Sequence, residues 1–190
     1  MELILEEEIL QAYGFTATSI TLQQIGSGHI NRTYLLFSKN GEKHILQSIN
    51  TQVFKDPFAI ANNIKAVADY LKANYPEYLF PAPETTLGGN LMYAHGNDYW
   101  RLLPFVDHTT AFDTLTDPKQ AFEAAKQFGK LSRLLNDFDT SLLKPTIPGF
   151  HDLTWRYEQF TFALSKADEP LKTNAANQLE TAKHHHYIFD

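Results

Sequence analysis

Gly26-Ser27-Gly28-His29-Ile30-Asn31 is the segment whose residue types and spacing point most directly to chemistry. Glycine has no Cβ, so a pair of glycines lets the backbone approach a ligand closely. The exposed N–H groups of such a loop suit the oxygens of a phosphate. The residues on either side of the loop read as β-strands. A dinucleotide-binding fingerprint or a Walker loop requires a helix directly after its glycines, so neither applies. A glycine loop that returns into a strand is the arrangement of protein-kinase-like folds. An ordinary glycine hairpin has the same local pattern, and the loop alone does not separate the two.

In that arrangement the third strand carries a lysine that pairs with the nucleotide phosphates, as in Val-Ala-Ile-Lys. This chain has His44-Ile45-Leu46-Gln47. The strand pattern fits, but Gln47 offers a hydrogen bond without a charge; a polar strand residue facing solvent is the plainer alternative. Asn62, at the comparable place on the following helix, is also neutral. The two are mutually consistent, since a buried Glu without its Lys is costly. Tyr99 to Asp107 reads as a further strand, with Phe105 and Val106 where a nucleotide base would lie and Trp100 and Leu102 as core.

Other clusters read as structure. In His184-His185-His186 adjacent helical residues point about 100° apart, which opposes convergence on the tetrahedral geometry of zinc. In Phe150-His151-Asp152 the aspartate is placed for a helix N-terminus. Asn136-Asp137-Phe138-Asp139 follows a helix and reads as its terminal cap or loop.

The elements that must position the loop follow from periodicity. A short helix over Glu6 to Tyr13 ends at Gly14. Strands are expected over Ser19 to Ile25, Thr33 to Ser38 and Lys43 to Asn50, with Asn40-Gly41 as a hairpin turn. Asp56-Pro57 starts a helix. Phe58, Ala61, Ile64, Val67, Ala68 and Leu71 form its apolar stripe up to Asn74. A second hairpin follows, Leu91 to Ala94 and Tyr99 to Val106. Asp117-Pro118 opens a long amphipathic helix marked to Phe138. Further helices are expected from His151 to Lys166 and from Leu171 to near His186. The fold class is therefore α+β, a protein-kinase-like five-stranded antiparallel sheet with one inserted helix, followed by helices. The change of character sets the expected domains at 1–107, sheet-rich and nucleotide-binding, and 108–190, helical.

Composition narrows the partners. Of 190 residues, 43% are hydrophobic and 20% charged, and the net charge is -6. An acidic balance disfavours nucleic acid as the main partner. With no cysteine, disulfides, thiolate catalysis and cysteine-based zinc sites are excluded. Met1 to Leu10 lacks a basic-then-apolar signal pattern, and no apolar run reaches the roughly 18 residues of a membrane span. The expected location is the cytoplasm, with no membrane partner.

The glycine loop, the segment Ile45-Leu46-Gln47-Ser48-Ile49-Asn50 with Val53-Phe54, and Trp100-Arg101 together resemble the phosphotransferase family of aminoglycoside and choline kinases. Thr146-Ile147-Pro148-Gly149-Phe150-His151-Asp152 with Arg156 points the same way. The resemblance is nearest to the N-acetylhexosamine 1-kinase-like branch, where glutamine characteristically replaces the lysine. It implies ATP and Mg²⁺ as cofactors and transfer of the γ-phosphoryl to a sugar hydroxyl. It implies nucleotide contacts at Gly26, Ser27, Gly28, Asn31, Gln47, Phe105 and Val106, with His29 on the substrate side.

The family's chemistry also needs a His-x-Asp-x-x-x-x-Asn loop and a later magnesium-binding Asp. None of the eight histidines is followed by Asp two positions on, Asp69 and Asn74 lack a preceding His, and Asp139 stands where Asp-Phe-Gly has glycine. The expectation is an N-terminal portion whose catalytic loop and metal ligands lie beyond Asp190. Such a chain has no catalytic or metal-binding residue of its own and is inactive alone. The competing expectation is a non-catalytic nucleotide-binding or protein-interaction domain, self-associating through exposed apolar surface.

Overall fold

The computed structural model describes residues 7–26, 28, 30–110 and 112–189. Ser27 and His29 lie outside the described residues. After helix α1 (Glu7–Gln11) come strands β1 (Ile20–Ile25), β2 (Arg32–Ser38) and β3 (Lys43–Ile49), then helix α2 (Pro57–Asn74) and strands β4 (Tyr93–His95) and β5 (Asp98–Pro104). The five strands form one antiparallel sheet in the order β1-β2-β3-β5-β4. The expected α+β fold, with a single helix inserted after the third strand, is the one observed.

Strand alternation divides the sheet into two faces. Tyr34, Leu36, Leu46, Trp100 and Leu102 are buried on one face against Ile9, Leu10 and Tyr13. Tyr13 Oη donates a 2.8 Å hydrogen bond to the Trp100 carbonyl, fixing the chain after α1 to β5. On the other face Ile49 packs with Ala61 of α2 and with Met92. Pro57 opens α2 and Asp56 caps it, its Oδ1 accepting from the Ala59 N–H at 3.1 Å. β5 stops at Pro104, two residues short of the expected Val106. Its partner β3 begins at Lys43, and His44–Pro104 is the last pair.

The chain divides into two compact units, Met1–Thr146 and Ile147–Asp190. The sequence boundary near residue 107 falls inside the first. Helix α3 (Pro118–Leu134) belongs to that unit. It ends before Phe138, whose buried ring meets Tyr70 of α2 edge-on, centroids 5.3 Å apart. The Asn63 side chain exchanges two hydrogen bonds with the Lys144 backbone, at 2.7 and 2.9 Å. These contacts carry the first unit past the composition shift.

In the second unit α4 (Leu153–Lys166) is capped by Asp152, which accepts from the Trp155 N–H at 2.9 Å. The single helix expected from Leu171 is two, α5 (Glu169–Asn174) and α6 (Ala176–His184), separated where Ala175 leaves helical geometry. Among the described residues no helix is long and apolar enough to cross a membrane.

Candidate nucleotide site

The glycine loop joins β1 to β2, as expected. Gly26 has φ +84°, a left-handed conformation that glycine adopts without the Cβ penalty. A Cβ on Gly28 would meet nothing within 4 Å, so its backbone stands open. At the exit of the loop, Asn31 Oδ1 accepts a 3.0 Å hydrogen bond from the Asn50 backbone N–H. That bond ties the loop to the end of β3. Asn31 thus supports the loop's shape.

The strand register lays two rows across the half-buried face of β2, β3 and β5. One is apolar, Leu35, Ile45 and Leu103. The next is polar, Thr33, Gln47 and Arg101. Ile25, the residue before Gly26, pairs with Thr33 and joins the row to the loop with an apolar side chain. Antiparallel partners share a face, so the rows hold apolar and polar groups side by side at the loop end of the sheet.

The polar row is a continuous hydrogen-bonded chain. Gln47 Nε2 donates to Thr33 Oγ1 at 2.9 Å. Arg101 donates to Gln47 Oε1 from Nε at 3.0 Å and from Nη2 at 2.7 Å. Guanidinium has donors only, so the amide oxygen must face it. Burial holds the Arg101 pKa below the usual guanidinium value. The sequence reading therefore located Gln47 but not its partner. Asn62 is exposed on α2, and the side chain that engages Gln47 comes from the neighbouring strand. Alternation along Tyr99 to Leu103 places Arg101 opposite in face to Trp100 and Leu102, but pairing it with residue 47 required the register.

Phe105 and Val106 follow directly on β5, half-buried. The Lys43 ammonium lies 5.0 Å from the Phe105 ring centroid and donates to Asp107 Oδ1 at 2.7 Å. This hydrogen bond holds the Asp107 carboxyl below the ordinary carboxylate range. The Val106 carbonyl accepts from Thr109 Oγ1 at 2.8 Å. Loop, polar row and Phe105–Val106 thus lie on one sheet within the first unit. An apolar row beside a donor row suits a ligand with a flat apolar part and an anionic part. Among the described residues no three His, Asp or Glu side chains cluster to hold a metal ion.

Residues 21–186 match the profile of APH, the phosphotransferase enzyme family. The chain belongs to this family. Its fold is similar to that of amicoumacin kinase hAmiN in complex with AMP-PNP, Ca²⁺ and Ami, with TM-score 0.55 and 13% identity over 85% of this chain and 52% of that one. It is likewise similar to the spectinomycin phosphotransferase APH(9)-Ia in complex with ADP and spectinomycin, with TM-score 0.56 and 18% identity over 94% of this chain and 53% of that one. The phosphotransferase family member described here spans about half the length of these two proteins.

Proposed function

We propose that this protein is the nucleotide-binding part of an ATP-dependent kinase whose acceptor is a small-molecule hydroxyl, a sugar of the N-acetylhexosamine type. The observation that carries this reading is the glycine loop set between β1 and β2 at the end of the Thr33–Gln47–Arg101 row. Gly26, Ser27 and Gly28 cradle phosphate with backbone N–H groups, while Asn31 fixes the loop to β3. Gln47 reaches the phosphates, and Phe105 and Val106 border the base. His29 is assigned to the acceptor side by the family resemblance alone. Residues 1–107 form the nucleotide lobe, and 108–190 begin the acceptor lobe. The two structural neighbours support the reading, since both were solved with an adenine nucleotide and a second small molecule. ATP as substrate suits a cytoplasmic location.

Phosphoryl transfer is positioning plus electrostatic stabilisation by a base and metal-held oxygens. This chain supplies positioning: it orients the nucleotide and shields its base. With no His-x-Asp in the sequence, the 190-residue chain binds Mg-ATP without transferring phosphate. Calorimetric titration with Mg-ATP, beside a phosphate-transfer assay on N-acetylhexosamines, tests both halves. Saturable ATP binding with no sugar phosphate is expected. Absence of ATP binding overturns the nucleotide reading, and sugar phosphate formation overturns the inactivity.

A second reading, an interaction domain that self-associates, is favoured by the exposed phenylalanines of α3 and α4. Concentration-dependent sedimentation without any ATP-induced rise in Tm would support it over the first.

A further inference from the structure

We propose that Arg101 supplies the positive charge for the nucleotide phosphates, with Gln47 as the residue that positions it; this rests on the nucleotide-site reading above. A strand-three lysine would carry its ammonium from position 47. Here the Arg101 guanidinium, reaching over from β5, lies 2.7 to 3.0 Å from the end of the Gln47 side chain. The charge therefore sits beside the place the strand-three side chain ends, although its backbone is one strand further away.

Three facts make it a ligand group rather than a strut. First, a guanidinium stays protonated at any physiological pH, yet among the described residues no carboxylate pairs with Arg101. Its acceptor is the neutral Gln47 amide. An uncompensated charge removed from water is costly, and an incoming anion offsets that cost. Second, Nη1 is buried and has no hydrogen-bond partner among the described residues. Buried donors are nearly always satisfied, and a phosphate oxygen is an acceptor suited to the arginine fork. Third, Gln47 is held from its other side by Thr33, so Nε and Nη2 are occupied and oriented while Nη1 is left for a ligand. A neutral Gln47 is the required partner. A lysine there would repel the guanidinium, and a glutamate would neutralise it.

The test titrates the 190-residue protein with adenosine, Mg-ATP and inorganic tripolyphosphate, for wild type, Arg101→Gln and Gln47→Glu. Loss of a charge-assisted phosphate contact weakens ATP binding about 10- to 100-fold while adenosine binding is unchanged. Gln47→Glu keeps the side-chain shape and holds Arg101 more firmly. A purely structural Arg101 predicts an equal or higher Tm with ATP binding intact, whereas the proposal predicts an equal or higher Tm with ATP binding weakened. Should Arg101→Gln fail to fold, Arg101→Met takes its place, because a carboxylate at position 47 also repels phosphate directly. An ATP-to-adenosine affinity ratio that is the same in wild type and every folded variant overturns the proposal and leaves the nucleotide site standing. Arg101-dependent tripolyphosphate binding without adenosine binding upholds Arg101 and removes the nucleotide reading. A wild-type protein that binds none of the three probes overturns both.

Discussion

The sheet and the helices after residue 117 bury their apolar residues to very different extents. In the sheet Tyr34, Leu36 and Leu46 are at most 2% exposed. On α3 and α4 the rings of Phe122, Phe128 and Phe162 are 65%, 74% and 66% exposed. The sequences look alike in hydrophobic content, and both carry the expected periodicity. The sheet has a second layer on each side, α1 on one face and α2 on the other. The apolar stripes of α3 and α4 remain largely open. An amphipathic pattern reports where a surface can pack; a facing layer determines whether it does. The Thr33–Gln47–Arg101 row lies on the well-packed element, which suits a site that needs fixed geometry.

The sharpest way to break this contrast is a pair of truncations. Leu46→Ala removes a side chain from between two layers and is expected to cost about 2–5 kcal/mol. Phe128→Ala, at an exposed position, stays within about 0.5 kcal/mol. Urea unfolding of both variants checks this, and equal losses would mean the helical face is covered in solution.

Next in size is an alkaline effect at Tyr13, in the core between α1 and the sheet. Burial raises the Tyr13 pKa from 10.0 to about 12. The folded state therefore keeps the phenol proton where the unfolded chain has lost it. The stabilisation is complete below pH 10.0 and declines as pH rises through about 12, by about 1.4 kcal/mol per pH unit in between. Tyr13→Phe should be less stable at pH 7, having lost the bond to the Trp100 carbonyl, but should lack this decline. Unfolding free energies at pH 8, 10 and 11 give the comparison.

A smaller effect is expected in the second unit. Gly149 has φ +67°, and a Cβ there would lie 2.9 Å from Trp155 Cε3. Gly149→Ala is expected to cost about 1–2 kcal/mol from the left-handed conformation, with further strain from the ring. Faster amide exchange over 150–166, with exchange in β2 and β3 unchanged, is the readout. The smallest change is Asp152→Ala, which removes the α4 cap and costs about 1 kcal/mol in the same assay.

Most of the architecture was legible because it is local. Strand alternation, Asn40-Gly41, and the Asp-Pro pairs at 56–57 and 117–118 each act within a few residues. The glycine loop and Gln47 were legible for the same reason. Less legible were the ends of elements that tertiary contacts override. Phe138 continues the apolar period of α3 yet turns to meet Tyr70. β5 ends at Pro104, opposite His44, although β3 runs one residue further to Lys43. Asn62 did not supply the partner of Gln47, which comes from the neighbouring strand and depends on its register.

The sequence by itself determined which residues form strands and helices, the loop that suits phosphate, and the glutamine at position 47. Backbone propensity and side-chain period encode these directly. Only the tertiary structure decided that α1 caps one sheet face, that the first compact unit runs to Thr146, and that Arg101 meets Gln47. The last depends on the register between residues 54 apart in the chain, and a one-residue slip would turn Arg101 to the opposite face.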